Sequence, residues 1–413
     1  MEKREILCRD LKSVIHDRLS YVDEITDEEV LEQIDNAIVN YGKERYIAIE
    51  ERENLRKELF NSIRKLDILQ ELIEYPDITE IMVNGTENIF YEKDGKIYEW
   101  TKRFGDKERI HDIAHQIAGK VNRIINEASP IVDARLEDGS RVNVVLDPIA
   151  INGPAVTIRR FPKNPLTMED LIRMNSISKE AAEFLKKLVV ARYNIFISGG
   201  TGSGKTSFLN ILSNYIPKGE RVLTIEDSAE LQIKNVPNLV RMETRNANTE
   251  GENAITIRDL IKTSLRMRPD RIIVGETRGS EAVDMLQAMN TGHDGSLSTG
   301  HGNSPLDMLA RLETMVLMGL NIPLEAIRRQ IASGIDIIIH LGRLRDRTRR
   351  VMEINEIAGI EEGEYVLNTL YKFREIREVE GEVEGILERT GEIRNSAKLH
   401  MFGVIEEEIA NDK

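Results

Sequence analysis

The chain has a single cysteine in 413 residues, Cys8. No intramolecular disulfide can form, no cysteine-rich zinc cluster can be built, and a reducing compartment is the simplest reading. The opening residues, MEKREILCRDLK, contain no apolar stretch of the kind a secretory signal needs. The densest apolar run, Ile335 to Leu341, is far too short to cross a bilayer. Positive charge is in deficit, with 57 Lys and Arg against 71 Asp and Glu and a net charge of −14, which disfavours a globally basic nucleic-acid binder. No internal repeat and no low-complexity tract interrupts the chain. These absences predict a cytoplasmic protein without membrane insertion or a nucleic-acid partner. It is long enough for two or three domains.

The charge that is present is unevenly spread. Residues 1–75 hold 12 basic and 19 acidic side chains, and residues 355–413 hold 7 and 15, whereas 76–354 hold 38 and 37. The acidity belongs to the two flanks. The first flank is poor in Gly and Pro, and Val30, Ile34, Ala37 and Ile38 recur at helical spacing. Thr26 with Glu29 spells a capping box, and a second helix is expected from about Ile47 to Leu72. From Tyr75 the texture changes to ITEIMVNG and NIFYEKDGKIYEW, strands with Asp94-Gly95 as a hairpin signal. A helix from about Lys107 to Asn126 and the strands of ARLEDGSRVNVVLDP and PAVTIRRF complete an α+β domain. FPKNPLT reads as a linker.

From Leu166 helices alternate with apolar strands: NIFISG, RVLTIED, RIIVGE, GSLSTGH and IDIIIHL. That pattern predicts a mostly parallel sheet covered by helices. VMEINEIAG and EYVLNTLYKF predict a terminal hairpin, and the last 35 residues are acidic and weakly patterned. The expected organisation is a helical segment over 1–75, an α+β domain over 76–161, a linker over 162–168, an α/β domain over 169–354 and an acidic hairpin and tail over 355–413.

The sharpest motif is ISGGTGSGKTS. Gly199, Gly204, Lys205 and Thr206 fit G-x-x-x-x-G-K-[ST], between an apolar strand and a helical run. Gly199, Gly200, Thr201, Gly202, Ser203, Gly204, Lys205, Thr206 and Ser207 are therefore the candidate phosphate-binding residues. The glycines let backbone amides converge on phosphate oxygens, the helix N-terminus favours negative charge, Lys205 can neutralise the β/γ-phosphates and Thr206 can hold Mg²⁺. Such a loop needs carboxylates for metal and water. Glu226 and Asp227 end one predicted strand and Glu276 ends another, and parallel strands bring such ends to one edge. His293 and His301 lie in the glycine-rich TGHDGSLSTGHGNS. Arg159 and Arg160 end the first domain's last strand, where one of the pair can reach a phosphate, and RNAN at 245–248 could act from another subunit.

Together these elements resemble the secretion and pilus ATPase superfamily of type II secretion, type IV pilus and type IV secretion motors. GGTGSGKT is similar to its phosphate loop, TIEDSAEL to its acidic box, RMRPDRIIVGETRG to its second ATPase motif with Glu in place of Asp, and TGHDGSLSTGHGNS to its histidine box. In the first domain TEIMVNG, Gly139 to Asn143 and PAVTIRRF resemble the CpaF-like, tight-adherence (Flp) pilus branch. The lone cysteine argues against the type II branch with its four-cysteine zinc module. The resemblance implies a RecA-like ATPase domain behind a smaller α+β domain, a homohexameric ring, ATP and Mg²⁺, and an inner-membrane platform protein as partner. It implies that Glu226 polarises the attacking water, that Glu276 orients Mg²⁺, that His301 belongs to the site, and that Arg141, Arg159 or Arg160 engages the γ-phosphate. The rival expectation is a nucleotide-gated scaffold that binds without hydrolysing. No N-K-x-D guanine motif and no LSGG signature occurs, which disfavours a GTPase and an ABC subunit. For the acidic flanks the expectation is contact with a basic face of a membrane protein, or solvation.

Overall fold

The structure is a computed structural model that describes residues 2–19, 25–43, 46–93, 95–121, 123–160, 165–245, 247 and 252–404, the side chains of 2–6, 16 and 19 excepted. It divides into two compact units, Met1–Lys163 and Asn164–Lys413. Asp94 of the hairpin signal, the 161–164 part of the expected linker, and Asn246 and Asn248 of RNAN lie outside the described residues.

The first unit opens with helices α1 (Glu2–Leu19), α2 (Asp27–Gly42), α3 (Ile49–Arg64) and α4 (Leu69–Glu74). The capping box at α2 is present: Glu29 N–H donates to the Thr26 hydroxyl at 3.3 Å and Thr26 N–H to Glu29 Oε2 at 2.8 Å. Val30, Ile34, Ala37 and Ile38 are buried against Leu11, Ile15, Leu55 and Leu59, the seam of a three-helix cluster. The single helix expected from 47 to 72 is two. Asp67 adopts a φ of 52° between them, and its buried carboxylate accepts from Arg109 at 2.6 and 2.8 Å. Pairing a buried carboxylate with a partner over 40 residues away outweighs continuing the helix there.

The chain then makes β1 (Ile78–Asn84), β2 (Asn88–Lys93), β3 (Lys96–Glu99), α5 (Glu108–Lys120), β4 (Ile131–Arg135), β5 (Arg141–Val145) and β6 (Ala155–Arg159). Helix α5 stops at Lys120, short of the expected Asn126, whose side chain instead accepts from the amides of Ala128 and Ser129, both at 2.9 Å, and makes a turn. The sheet runs β3-β2-β1-β6-β5-β4, antiparallel throughout. Val142, Val144, Val156, Ile158, Ile81 and Val83 fill one face together with Ile110, Ile113 and Ile117 of α5.

The second unit contains α6 (Met168–Arg173), α7 (Lys179–Val190), β7 (Ile195–Gly199), α8 (Lys205–Ser213), β8 (Arg221–Glu226), β9 (Asn238–Glu243), α9 (Ile257–Ser264), β10 (Arg271–Val274), α10 (Ala282–Asn290), β11 (Leu297–His301), α11 (Pro305–Gly319), α12 (Leu324–Gly334), β12 (Ile337–Arg343), β13 (Arg349–Glu361), β14 (Glu364–Val379), β15 (Glu382–Arg389) and α13 (Ala397–Met401). Nine strands form one sheet in the order β15-β14-β13-β12-β7-β11-β10-β8-β9. The six from β12 to β9 are parallel, and β13 to β15 extend it antiparallel. Successive residues of β7 and β12 serve opposite faces. Ile195, Ile197, Ile337 and Ile339 pack with α7 and α8, while Phe196 and Ile338 pack with α9 to α12. Helices on both faces explain why these strands read as unbroken apolar runs. The expected mostly parallel α/β fold is present. β9, β15 and α13 are additions to it, and α9 begins at a Thr256–Asp259 capping box.

Candidate active site

The phosphate loop leaves the buried end of β7 and turns into α8. It packs hard against β12: a Cβ on Gly199 would stand 2.5 Å from the Leu341 carbonyl and 2.6 Å from Ser203 Oγ, so only glycine fits. Gly204 heads α8 with a φ of 94°, the left-handed region that a side chain penalises. Ser203 Oγ donates to the Gly200 carbonyl at 2.9 Å. The first turn-closing bond of α8 runs from Phe208 N–H to Gly204 O at 2.9 Å, so the amides of Lys205, Thr206 and Ser207 head the helix ahead of it. Lys205 is buried. Its ammonium donates to the carbonyls of Gly199 and Gly200 at 3.1 and 2.9 Å, and burial lowers its pKa. The loop thus presents helix-end amides and one ammonium, the donors an anionic phosphate chain needs.

Parallel pairing brings the C-terminal ends of β7, β11, β10 and β8 to one edge. At about 4.8 Å per strand, Glu276 past β10 stands two strands from β7 and Glu226 at the end of β8 stands three. His301, at the end of β11, fills the interval. Its Nδ1 is 3.4 Å from Lys205 Nζ and its Nε2 is 2.8 Å from Glu276 Oε1. The second contact is an electrostatic approach without hydrogen-bond alignment, since that oxygen is buried and makes no hydrogen bond. Burial, then the Lys205 charge, lowers the His301 pKa, so the ring is neutral at neutral pH. Arg278 donates to Glu276 Oε2 at 2.7 Å and lies 3.8 Å from Asp227. The structure therefore joins Lys205, His301, Glu276, Arg278 and Asp227 in one polar chain. Sequence reading passed over Arg278, although two residues after Glu276 was a signal available.

Glu226 is 2% exposed. Its Oε2 accepts from the amides of Glu230 and Leu231 at 2.7 and 2.9 Å, and Oε1 is buried without a hydrogen-bond partner. Desolvation is the largest influence on it and pushes its pKa up to about 7, against the lowering effect of the two amides. One oxygen holds the carboxylate still. The other is unsatisfied and poised to accept a proton near neutral pH.

These residues fit a magnesium nucleotide. Glu226 Oε1 is buried without a hydrogen-bond partner and Glu276 Oε1 lies against the His301 ring without a hydrogen bond, and no group of three or more His, Cys, Asp or Glu among the described residues could hold a metal alone. A cation here would lean on Thr206, Glu276, water and phosphate oxygens, the habit of Mg²⁺ and not of zinc.

His293 is set apart. It precedes β11, at the opposite end of the strand from His301, with its ring against the Ala288 carbonyl at 3.3 Å. In the first unit Arg141 of β5 and Arg159 of β6 are register partners, with Arg135 beyond Arg141 and Glu80 beyond Arg159. The four form a row on the face opposite the apolar core. Arg160 turns away. It is 9% exposed, and its guanidinium donates to the carbonyls of Tyr75 and, at 2.9 Å, Ile78. The alternation expected for adjacent strand residues separates the pair, with Arg160 spent on backbone.

The family described as "Type II/IV secretion system protein" matches residues 63–380. The chain is 40% identical over 300 residues to an uncharacterised protein of Methanocaldococcus jannaschii, covering 70% of this chain but 41% of that protein. It is 32% identical over 303 residues to the type IV secretion system protein VirB11 of Brucella suis, covering 67% of this chain and 84% of VirB11. Its fold is like that of the ATPase DotB of Legionella pneumophila, with a TM-score of 0.51 at 22% identity over 70% of this chain and 79% of that one. The sheet is the RecA-like one expected, and no helix among the described residues is long and apolar enough to cross a membrane. The chain belongs to the type II/IV secretion system protein family, a superfamily of secretion ATPases.

Proposed function

We propose that this protein hydrolyses ATP as the cytoplasmic motor of a secretion or pilus-assembly machine. The observation that carries the reading is the Glu226 carboxylate, held by two amides through one oxygen, bare at the other, with its pKa pushed up to about 7. A pure nucleotide-binding scaffold has no use for a buried, destabilising base at that edge. Lys205 and the amides heading α8 hold the phosphate chain. Glu226 orients a water and takes its proton, and His301 keeps Glu276 and Lys205 in register. A Mg²⁺ held by Thr206 and Glu276 supplies charge neutralisation at the phosphates when bound. Arg159 and Arg141, on the polar face of the first unit, are the proposed contacts to the γ-phosphate, and motion of that unit on the nucleotide is the proposed work step. A homohexameric ring acting on an inner-membrane platform protein is the assembly this reading entails, with the Flp-pilus branch favoured by the first-unit motifs.

Steady-state phosphate release tests the reading. Glu226→Gln is expected to bind ATP as tightly as wild type while turnover falls about 10²–10³-fold, the scale of a lost catalytic base. Unchanged turnover removes the water-activating role, and no phosphate release by wild type leaves the scaffold reading.

A further inference from the structure

The hairpin between β12 and β13 reaches the phosphate loop. β12 pairs with β7 so that Leu341 lies opposite Gly199. Arg343 is two residues further on, on the same face of the strand, and its cross-strand partner is Arg349. Both arginines flank the loop. Arg349 Nε donates to the Gly202 carbonyl at 2.9 Å, and its Cδ would be 3.5 Å from a Cβ on Gly204. Arg343 Nη1 would be 3.8 Å from a Cβ on Gly202. Arg343 makes no hydrogen bond or ion pair among the described residues, whereas Arg345, two positions on, is committed to Glu375 and Glu378 at 2.5 and 2.7 Å.

The hairpin is also held in its aim. Asp346 accepts from Thr348 N–H at 2.8 Å through one oxygen and from Val383 N–H at 2.8 Å through the other, which ties the turn to the neighbouring β15. An unpaired guanidinium, placed beside a phosphate-binding loop by a braced turn, is an arrangement that an anion completes.

We propose that this hairpin is part of the nucleotide site: Arg349 is a positioning residue that holds the phosphate loop through the Gly202 carbonyl, and Arg343 donates to the phosphates of the bound nucleotide. The inference rests on the nucleotide reading above and adds two cations from the same unit to it.

Equilibrium titration of the full chain with fluorescent ADP and ATP analogues tests it, with Lys205→Ala as the control for the loop and Arg347→Ala as the control for net charge. Arg343→Ala is expected to weaken both nucleotides about tenfold, and Arg343→Lys to recover most of that, as for a charge-assisted contact. Arg347→Ala, which removes the same charge from the exposed turn, is expected to stay within about twofold. Arg349→Ala is expected to weaken binding about fivefold with a melting temperature close to wild type, and Arg349→Lys, which keeps a donor, to restore it. Should Arg343→Ala not fold, Arg343→Gln reads the same loss.

Wild-type affinity in Arg343→Ala or Arg343→Gln overturns the phosphate contact, provided Lys205→Ala has lost binding. A fall in Arg349→Ala that Arg349→Lys does not restore overturns the positioning role. If the wild-type chain itself binds neither nucleotide, the reading of the whole site fails instead.

Discussion

The two sheets solve the burial problem differently. In the first unit β5 and β6 alternate between buried and accessible residues, because helices cover one face. In the second, β7 and β10 are buried at every position, because helices cover both. A sheet buried on both faces has no room for chemistry along its strands and expels it to the strand ends, where Lys205, Glu226, Glu276 and His301 sit. A half-open sheet can display side chains along its surface, and there Arg135, Arg141 and Arg159 line up across three strands. One unit is built to hold a site at a point, the other to offer a surface.

The sharpest way to break this contrast is to empty one position of each sheet. Ile197→Ala in β7 removes a side chain packed from all sides and is expected to cost about 3–4 kcal/mol in denaturant unfolding of its unit. Thr157→Ala, on the polar face of β6, is expected to cost within about 0.5 kcal/mol. Comparable losses would mean the open face is covered.

A strand end that serves catalysis should be a liability to folding. Glu226 has a folded pKa raised to about 7 from an ordinary 4.5. Its stabilising share is therefore complete below about pH 4.5 and is lost as pH rises to 7, where the buried carboxylate ionises. Glu226→Gln is expected to be more stable than wild type by on the order of 2–3 kcal/mol at pH 8, with the gain fading as pH falls through that window. Thermal melts at pH 5, 6.5 and 8 read it directly. Wild-type turnover should rise over the same range toward pH 8. A variant no more stable at pH 8 than at pH 5 would place the carboxylate in water.

An equally small stability effect is expected at Arg159. On an open surface, Arg159→Ala should shift stability within about 0.5 kcal/mol, while lowering turnover at least about tenfold, the scale of a charge-assisted contact to a phosphate. Unaltered turnover would leave Arg141 as the arginine to examine on that row.

The elements most legible in the sequence were those whose residues carry their own instruction. The unbroken apolar runs of β7 and β12, the Thr26–Glu29 box and the loop Gly199–Thr206 each imply their structure locally. Less visible were elements defined by partners far along the chain. Nothing in NLVRME or EVEGILER separates an edge strand from a polar loop, because half of each faces water. Asp67 breaks a helix only because Arg109 meets it, and Arg160 looks available until the carbonyls of Tyr75 and Ile78 are placed around it. Glu226 and Glu276 were legible as strand ends, but the bare Oε1 of Glu226 depends on a fold in which no donor arrives, and the placing of Glu276 beside His301 on the pairing of β11 with β10. Arg343 and Arg349 carried no signal at all, since their nearness to Gly202 follows from β12 lying beside β7.

Among the described residues, the nine-stranded sheet ends at β15 with no further strand paired to it. A long unpaired edge invites another chain to add to it. Glu382, Glu384 and Glu388 occupy that margin, and Arg377 and Arg374 bind two of them from within, at 2.6 Å each. The acidity of the C-terminal flank thus runs along an open strand edge, where charged side chains disfavour the addition of another strand.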